Sequence, residues 1–234
     1  MRARRLATIA AVAVMGALSL SGCGTDPDVA LYVDGHSYSR AEVDAVAAEI
    51  PNQTKPEQVK LIRGQVVQLL AVRDSIARYA KNHDITVPAP DVAGYAQESG
   101  LPADKRHTEL LAGIAASLTA LQQAAPSVAP SEADQREALA NSTVQGQPVT
   151  DQFEAVQKYL GKEQLGKVVG VRNALREAFA EAKVTVNPGF GDQVFQVPGQ
   201  IGQVNLWLGV PVRGTESPVT DLPTSAAPTA TPEP

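Results

Sequence analysis

Residues 57–82 read EQVKLIRGQVVQLLAVRDSIARYAKN, and the spacing of the apolar residues in this stretch decides the fold class. Val59, Ile62, Val66, Leu69, Ile76 and Ala80 recur at intervals of three, four and seven. On an α-helix those intervals fall on one stripe, so the spacing predicts a long amphipathic helix from about Glu57 to Asn82 that buries a single face. Gly64 lies inside it and costs about 1 kcal/mol relative to alanine. One long helix with one apolar face needs other helices to cover it, and the rest of the chain supplies candidates.

Upstream, Ala30-Leu31-Tyr32-Val33 and His36-Ser37-Tyr38 flank Asp34-Gly35, a pair favoured in type I′ turns, so a small hairpin is expected. Ser39-Arg40-Ala41-Glu42 is a capping box that opens a helix running to Ile50, where Pro51-Asn52 stops it. Downstream, residues 83–88 read as a loop. A helix from about Ala89 to Ser99 ends at Gly100, a plausible C-terminal cap. Another amphipathic helix is expected from about Asp104 to Gln123, with Leu110, Ile114, Leu118 and Leu121 on its stripe. Pro126 and Pro130 break the chain, and Ser131 to Asp134 opens a shorter helix. Residues 141–148 read as loop, Phe153, Val156 and Leu160 as one more helix, and Leu165, Val168, Leu175, Phe179 and Ala182 as the last long one. Val184-Thr185-Val186 is strand-like and ends at Asn187-Pro188-Gly189. Residues 192–210 are expected to be a Gly- and Val-rich extension with a weak strand at Val204 to Leu208. Residues 211–234, rich in Pro, Thr, Ser and Ala, are expected to be a disordered tail. The fold class is therefore mainly α with a small β element.

The N-terminus addresses location. Arg2, Arg4 and Arg5 precede an apolar run from Leu6 to Leu20, and Leu20-Ser21-Gly22 leads to Cys23, the only cysteine. A charged region, a short apolar region and small residues before a cut describe a signal peptide over residues 1–22. Leu-Ser-Gly-Cys resembles the bacterial lipobox. That resemblance implies cleavage before Cys23, diacylglyceryl and further acyl chains (palmitate) on it, and a tether over residues 23–29. The apolar run is short of the ~20 residues that span a bilayer, and no later segment approaches that length. The expectation is a lipoprotein on the extracytoplasmic face of the cell membrane.

Charge and composition exclude several classes. The chain carries a formal charge of −5, and without Arg2, Arg4 and Arg5 it is −8, which argues against nucleic acid as a partner. One cysteine permits no internal disulfide, and no Cys/His cluster suggests zinc. No serine elbow or converging acid–base set is present, so no catalytic residue, cofactor or metal is assigned and the chain is read as a non-enzyme. Glu109, Glu132, Glu137 and Glu154 read as solvated helix faces. Gly161, Gly166 and Gly170 lack the Gly-Lys-Ser/Thr ending of a phosphate loop and read as a close helix crossing or kink. Asn52-Gln53-Thr54 and Asn141-Ser142-Thr143 fit a glycosylation pattern by chance. Trp207 reads as a satellite-core anchor ahead of a partner contact.

The order of the pieces adds a resemblance. LYVDGHSYSRAEV (residues 31–43), VVQLLAVRDSIARYAKNHDITVPAPDV (66–92) and VTVNPGFG (184–191) resemble the opening strand and helix start, the long helix with its turn, and the return strand of SurA-like N-terminal domains, over residues 30–191. That group, which includes SurA and PrsA, comprises extracytoplasmic peptide-binding chaperones. The resemblance implies that the N-terminal and late strands pair, and that unfolded or nascent secreted polypeptides are bound without ATP in a groove between helices. Val67, Leu70 and Leu118 are the candidate groove residues, with a place in the core as their alternative reading. The parvulin isomerase domain usual in that group has no counterpart: residues 100–164 read as Ala-rich helices, and His36, His83 and His107 stand alone. Chaperone-like holding is the first expectation. A non-catalytic envelope adaptor for one partner, and a degenerate prolyl isomerase, are the alternatives. Oligomeric state is not specified.

Overall fold

A computed structural model describes residues 26–51, 55–144, 146–149, 162–201 and 203–213. The expected signal peptide, Cys23, the helix expected around Phe153 to Leu160, and all of the expected tail beyond Arg213 lie outside the described residues.

The long helix forms as its stripe demands. Strands β1 (Val29–Val33) and β2 (His36–Ser39) lead into helix α1 (Arg40–Ala47), and helix α2 follows over Pro56–Asn82. Asp34 and Gly35 both take positive φ, 52° and 77°, as a type I′ turn requires. Ser39 caps α1, accepting from the Glu42 backbone while Glu42 bonds back to the Ser39 N–H. At 27 residues α2 is about 40 Å long. It buries Val66, Val67, Leu70, Ala71, Val72, Ile76, Tyr79 and Ala80. Against it pack α1, α4 (Arg106–Ala124) and α6 (Lys162–Glu181), while α3 (Val92–Ser99) packs on α4 and α5 (Glu132–Ala140) on the last strand. Gly100 ends α3 with φ 69°.

Two small antiparallel sheets complete a mainly α architecture. In the first, β5 (Thr185–Val186) lies beside β1, with Leu31 opposite Val186, in the order β2-β1-β5. Asn187, buried at the end of β5, acts as a clasp. Its side-chain amide donates to the carbonyls of Val29 (2.7 Å) and Asp26 (3.3 Å), and its oxygen accepts from Gly189 N–H (2.9 Å) and Arg40 (3.3 Å). Its own backbone N–H reaches Ala30 O at 2.9 Å. Arg40 also lies over the Phe190 ring, 5.6 Å from its centre.

The second sheet corrects three expectations. Residues 141–148 are more than loop: β3 (Thr143–Val144) and β4 (Gln147–Pro148) form a minimal hairpin. Residues 192–210 are no peripheral extension, because β6 (Val194–Ile201) and β7 (Val204–Pro211) pair along their full length, in the order β4-β3-β7-β6. The inward residues of this hairpin join both parts of the core. Val197 and Val210 belong to the cluster around α2. Ile201, Val204, Leu206 and Leu208 belong to a second cluster with Ala138, Leu139, Leu165 and Val169. The tail boundary moves as well: Pro211 is in β7, and Val212 is buried, its N–H bonded to Gln193 O at 2.8 Å. Alternation of buried and half-buried residues along β7 is the ordinary consequence of period-two side chains on a sheet with one covered face.

The α6 glycines mark a close approach of extended chain rather than of a helix. A Cβ at Gly170 would sit 1.9 Å from the Pro126 carbonyl, and one at Gly166 would sit 2.8 Å from that of Val128. Val128 N–H bonds Gly166 O at 3.0 Å. Beside this seam a charged group is buried: Arg172, 5% exposed, meets Asp134 at 2.5 Å and Glu137 at 3.5 Å.

Candidate peptide groove

Alpha-helices of unequal length cannot cover α2 completely, and a groove of about 300 Å³ remains between α1, α2, α4 and the turn before α3. Its floor is Val46, Leu70, Leu110 and Gly113, and its rim is Arg73, Pro90, Arg106 and Glu109. Helical spacing explains the set. Arg106, Glu109, Leu110 and Gly113 recur at three and four on α4, so they share one face. Leu70 and Arg73 share a face of α2 in the same way. Gly113 has no side chain, and a Cβ built there meets nothing within 4 Å, so the floor is open at that point.

The two rim arginines differ. Arg73 is held: its Nε meets Asp74 Oδ1 at 2.7 Å and its Nη2 donates to the Tyr38 hydroxyl at 2.7 Å, while that hydroxyl donates to Asp74 Oδ2. Burial, reinforced by Asp74, pushes the Tyr38 hydroxyl up to about 12, so it stays protonated and remains a donor. Burial opposes the charge on Arg73, but Asp74 and Tyr38 outweigh it and hold the guanidinium above its ordinary value. Arg106, by contrast, is exposed and has no ion-pair partner among the described residues. The groove therefore presents an apolar floor, one arginine neutralised by Asp74, one arginine without an ion-pair partner among the described residues, and the Glu109 carboxylate one turn from it.

A smaller cavity of about 160 Å³ lies at the other side of the first turn of α4, lined by Ile50, Pro51, Leu101, Pro102, His107 and Thr108 among others. Glu49 closes that helix end by accepting from the His107 backbone at 2.9 Å. Burial lowers the His107 imidazole pKa against the raising effect of Glu49, so the ring is neutral at pH 7. Thr108 is buried and its hydroxyl has no hydrogen-bond partner among the described residues.

The three expected groove residues are separated. Leu70 is on the groove floor. Val67 is wholly buried, 0% exposed, and belongs to the core, its alternative reading. Leu118 is half-buried against the core and lines neither cavity. Cys23 lies outside the described residues. The rim residues Arg73, Arg106 and Glu109 escaped the sequence reading because they are charged and come from two helices more than thirty residues apart. The i, i+3, i+4 set on α4 was the available signal. Trp207 is half-buried on β7, directly opposite Pro198 and outside both core clusters.

Among the described residues no group of three His, Cys, Asp or Glu side chains is placed to hold a metal ion, and no helix is long and apolar enough to cross a membrane. Comparison of the chain with known protein families, with characterised proteins and with solved structures finds no match.

Proposed function

We propose that this chain is a lipid-anchored, extracytoplasmic envelope protein that binds a short apolar segment of a partner polypeptide without catalysis. The observation that carries the reading is the α1–α2–α4 groove: an apolar floor of about 300 Å³ with an available arginine at its rim. That volume is at the small end of ligand pockets and suits one or two apolar side chains. Only two large hydrophobic side chains, Leu61 and Val194, are exposed among the described residues, which is little for a general holding surface. A defined groove with a polar rim supports the adaptor reading, in which one partner supplies an apolar residue beside an acidic one. The lipid anchor is supported by the lipobox-like Leu20 to Cys23.

General chaperone holding is the second reading. Its support is the SurA-like order of motifs together with the β1–β5 pairing that this resemblance implies. The test uses the full chain. Peptides pairing an apolar with an acidic residue are titrated by fluorescence anisotropy against the natural chain and Arg106→Glu. A loss of about three- to tenfold is expected, the range for reversing one partly exposed charge. Binding that ignores both the acidic residue and Arg106→Glu, with suppressed aggregation of several unfolded proteins, would overturn the adaptor in favour of the holdase.

A further inference from the structure

One face of the β6–β7 hairpin packs on the helices, and the other looks outward. The register sets Val194 opposite Pro211, Gln196 opposite Gly209, Pro198 opposite Trp207 and Gln200 opposite Asn205. The residues between them, among them Val197, Ile201, Leu206, Leu208 and Val210, are buried in the two core clusters. Side chains alternate along a strand, so the four pairs share the outward face. Trp207, the only tryptophan of the chain, is half-buried there beside exposed Pro198. Val194, 42% exposed, leans over Gly209, its Cγ1 3.0 Å from the position of a Cβ there. Around Trp207 stand Gln196, Gln200 and Asn205, whose side-chain amides have no hydrogen bond among the described residues. Glu137 reaches the rim at Gly209 and is already engaged, by Gly209 N–H at 2.7 Å and by Arg172. β7 ends at Pro211, on the edge of this face. Val212 N–H still bonds Gln193 O at 2.8 Å, and Arg213 N–H then closes a three-residue turn on Pro211 O at 3.0 Å.

We propose that this outward face is the docking site for residues 218–223 of the same chain, Pro-Val-Thr-Asp-Leu-Pro, with Val219 and Leu222 covering Trp207, Pro198 and Val194. The reach fits. Trp207 lies six residues before Arg213, about 20 Å back along the strand. Val219 and Leu222 follow Arg213 by six and nine residues, a reach of about 20 and 30 Å. The chemistry fits as well. Val219 and Leu222 are the only large aliphatic residues in 214–234, and Pro218 and Pro223 bracket them. Proline favours the polyproline II form, which has no internal hydrogen bonds, and such segments dock on aromatic surfaces. Trp207 and Pro198 supply the apolar platform, while Gln196, Gln200 and Asn205 supply donors for the carbonyls of the segment. A stacked nucleic acid does not fit, because the paired residues of this face include no lysine or arginine. Covalent attachment holds the segment at about millimolar effective concentration, so a weak contact keeps the face covered. Neither the groove nor the lipid anchor is needed for this docking.

A single tryptophan makes the test direct. Excited at the red edge of its absorption, where the five tyrosines contribute little, the chain emits from Trp207 alone. Three chains are compared: the natural one, one ending at Arg213, and a full-length Val219→Ser, Leu222→Ser variant. Both changes are expected to move the emission to the red and to raise its quenching by acrylamide about twofold, because the indole loses its apolar cover. A peptide of residues 215–226, added at about the millimolar effective concentration of a short tether, is expected to reverse both effects in the chain ending at Arg213. Circular dichroism confirms that each chain is folded. Equal emission and quenching in all three folded chains overturn the docking. A red shift on removal of residues 214–234 that the double substitution does not reproduce takes the contact away from Val219 and Leu222 and overturns it as well. Emission that moves with protein concentration, alike in the natural chain and in the one ending at Arg213, gives the face to a second copy and overturns the docking too.

Discussion

The two parts of the core are built to different tolerances. Around α5, α6 and the β6–β7 hairpin, backbone touches backbone: Gly170 lies against the Pro126 carbonyl, Gly199 has the Val168 side chain 2.6 Å from where a Cβ would be, and Arg172 is buried with its carboxylates. Around α1, α2 and α4 the packing leaves a groove of about 300 Å³, and an arginine at its rim has no ion-pair partner among the described residues. The first part has no room for a change of one methyl group, whereas the second has room for a side chain from another molecule. Rigidity on one side and an unfilled surface on the other is the arrangement a binding module needs, since a groove keeps its shape only if something else fixes the helices that frame it.

Replacing Arg172 breaks the tight side most severely. Arg172→Ala leaves Asp134 buried without its cation and is expected to cost about 3–5 kcal/mol, read as a lowered urea midpoint. An unchanged midpoint would mean that the pair is not buried in solution. Gly170→Ala comes next, at about 1–3 kcal/mol or more, because the new methyl group meets a carbonyl that cannot swing aside. Gly113→Ala on the open side, where nothing lies within 4 Å of the new Cβ, is the matched control and should be at least neutral in stability.

Acid sharpens the same contrast with a smaller effect. Burial raises the Asp134 pKa, but hydrogen bonds from Ser131 and the ion pair with Arg172 outweigh it and hold the carboxyl below its ordinary value. A depressed folded pKa gives stability that is complete above the usual aspartate range near 4 and is lost as pH falls through the folded value. The urea midpoint should therefore fall below about pH 4, and Asp134→Asn should flatten that fall. The smallest effect belongs to the open side. Arg106→Ala should change stability by less than about 0.5 kcal/mol while weakening peptide binding, and a large loss of stability would show that Arg106 is structural.

Legibility in the sequence followed the range of the interactions. The α2 stripe, the Asp34-Gly35 turn, the Ser39–Glu42 box and the Gly100 cap are settled by residues within a few positions of one another, and each is present. The β6–β7 hairpin was seen only as a weak strand. Val194 and Pro198 on its outer face blur the alternation, and Gly199 occupies an inward position where an apolar side chain would have signalled a strand. Pro198 is tolerated because β6 is an edge strand. Arg172 and Asp134 lie 38 residues apart, and nothing local marks them as partners. Gly166 and Gly170 were visible, but whether helix or extended chain crosses them depends on where residues 126–128 run. In the groove, Leu70 was named only from the wide apolar face of α2, and Val67, one turn before it on that face, could not be told from it because both are apolar.

The Asn187 clasp also sets a timetable. Its amide reaches back to the carbonyls of Asp26 and Val29, across 161 and 158 residues. β1 therefore cannot gain its second neighbour until nearly all of the chain is available, and closing so long a loop is a slow step compared with forming a helix. A chain delivered from its N-terminus waits with its first strand half-paired while α1 and α2 form beside it. The β5 strand, in the last third of the chain, is what completes the first sheet, so partial products of synthesis or export that end before it lack the closed sheet and are exposed to proteases that the finished protein resists.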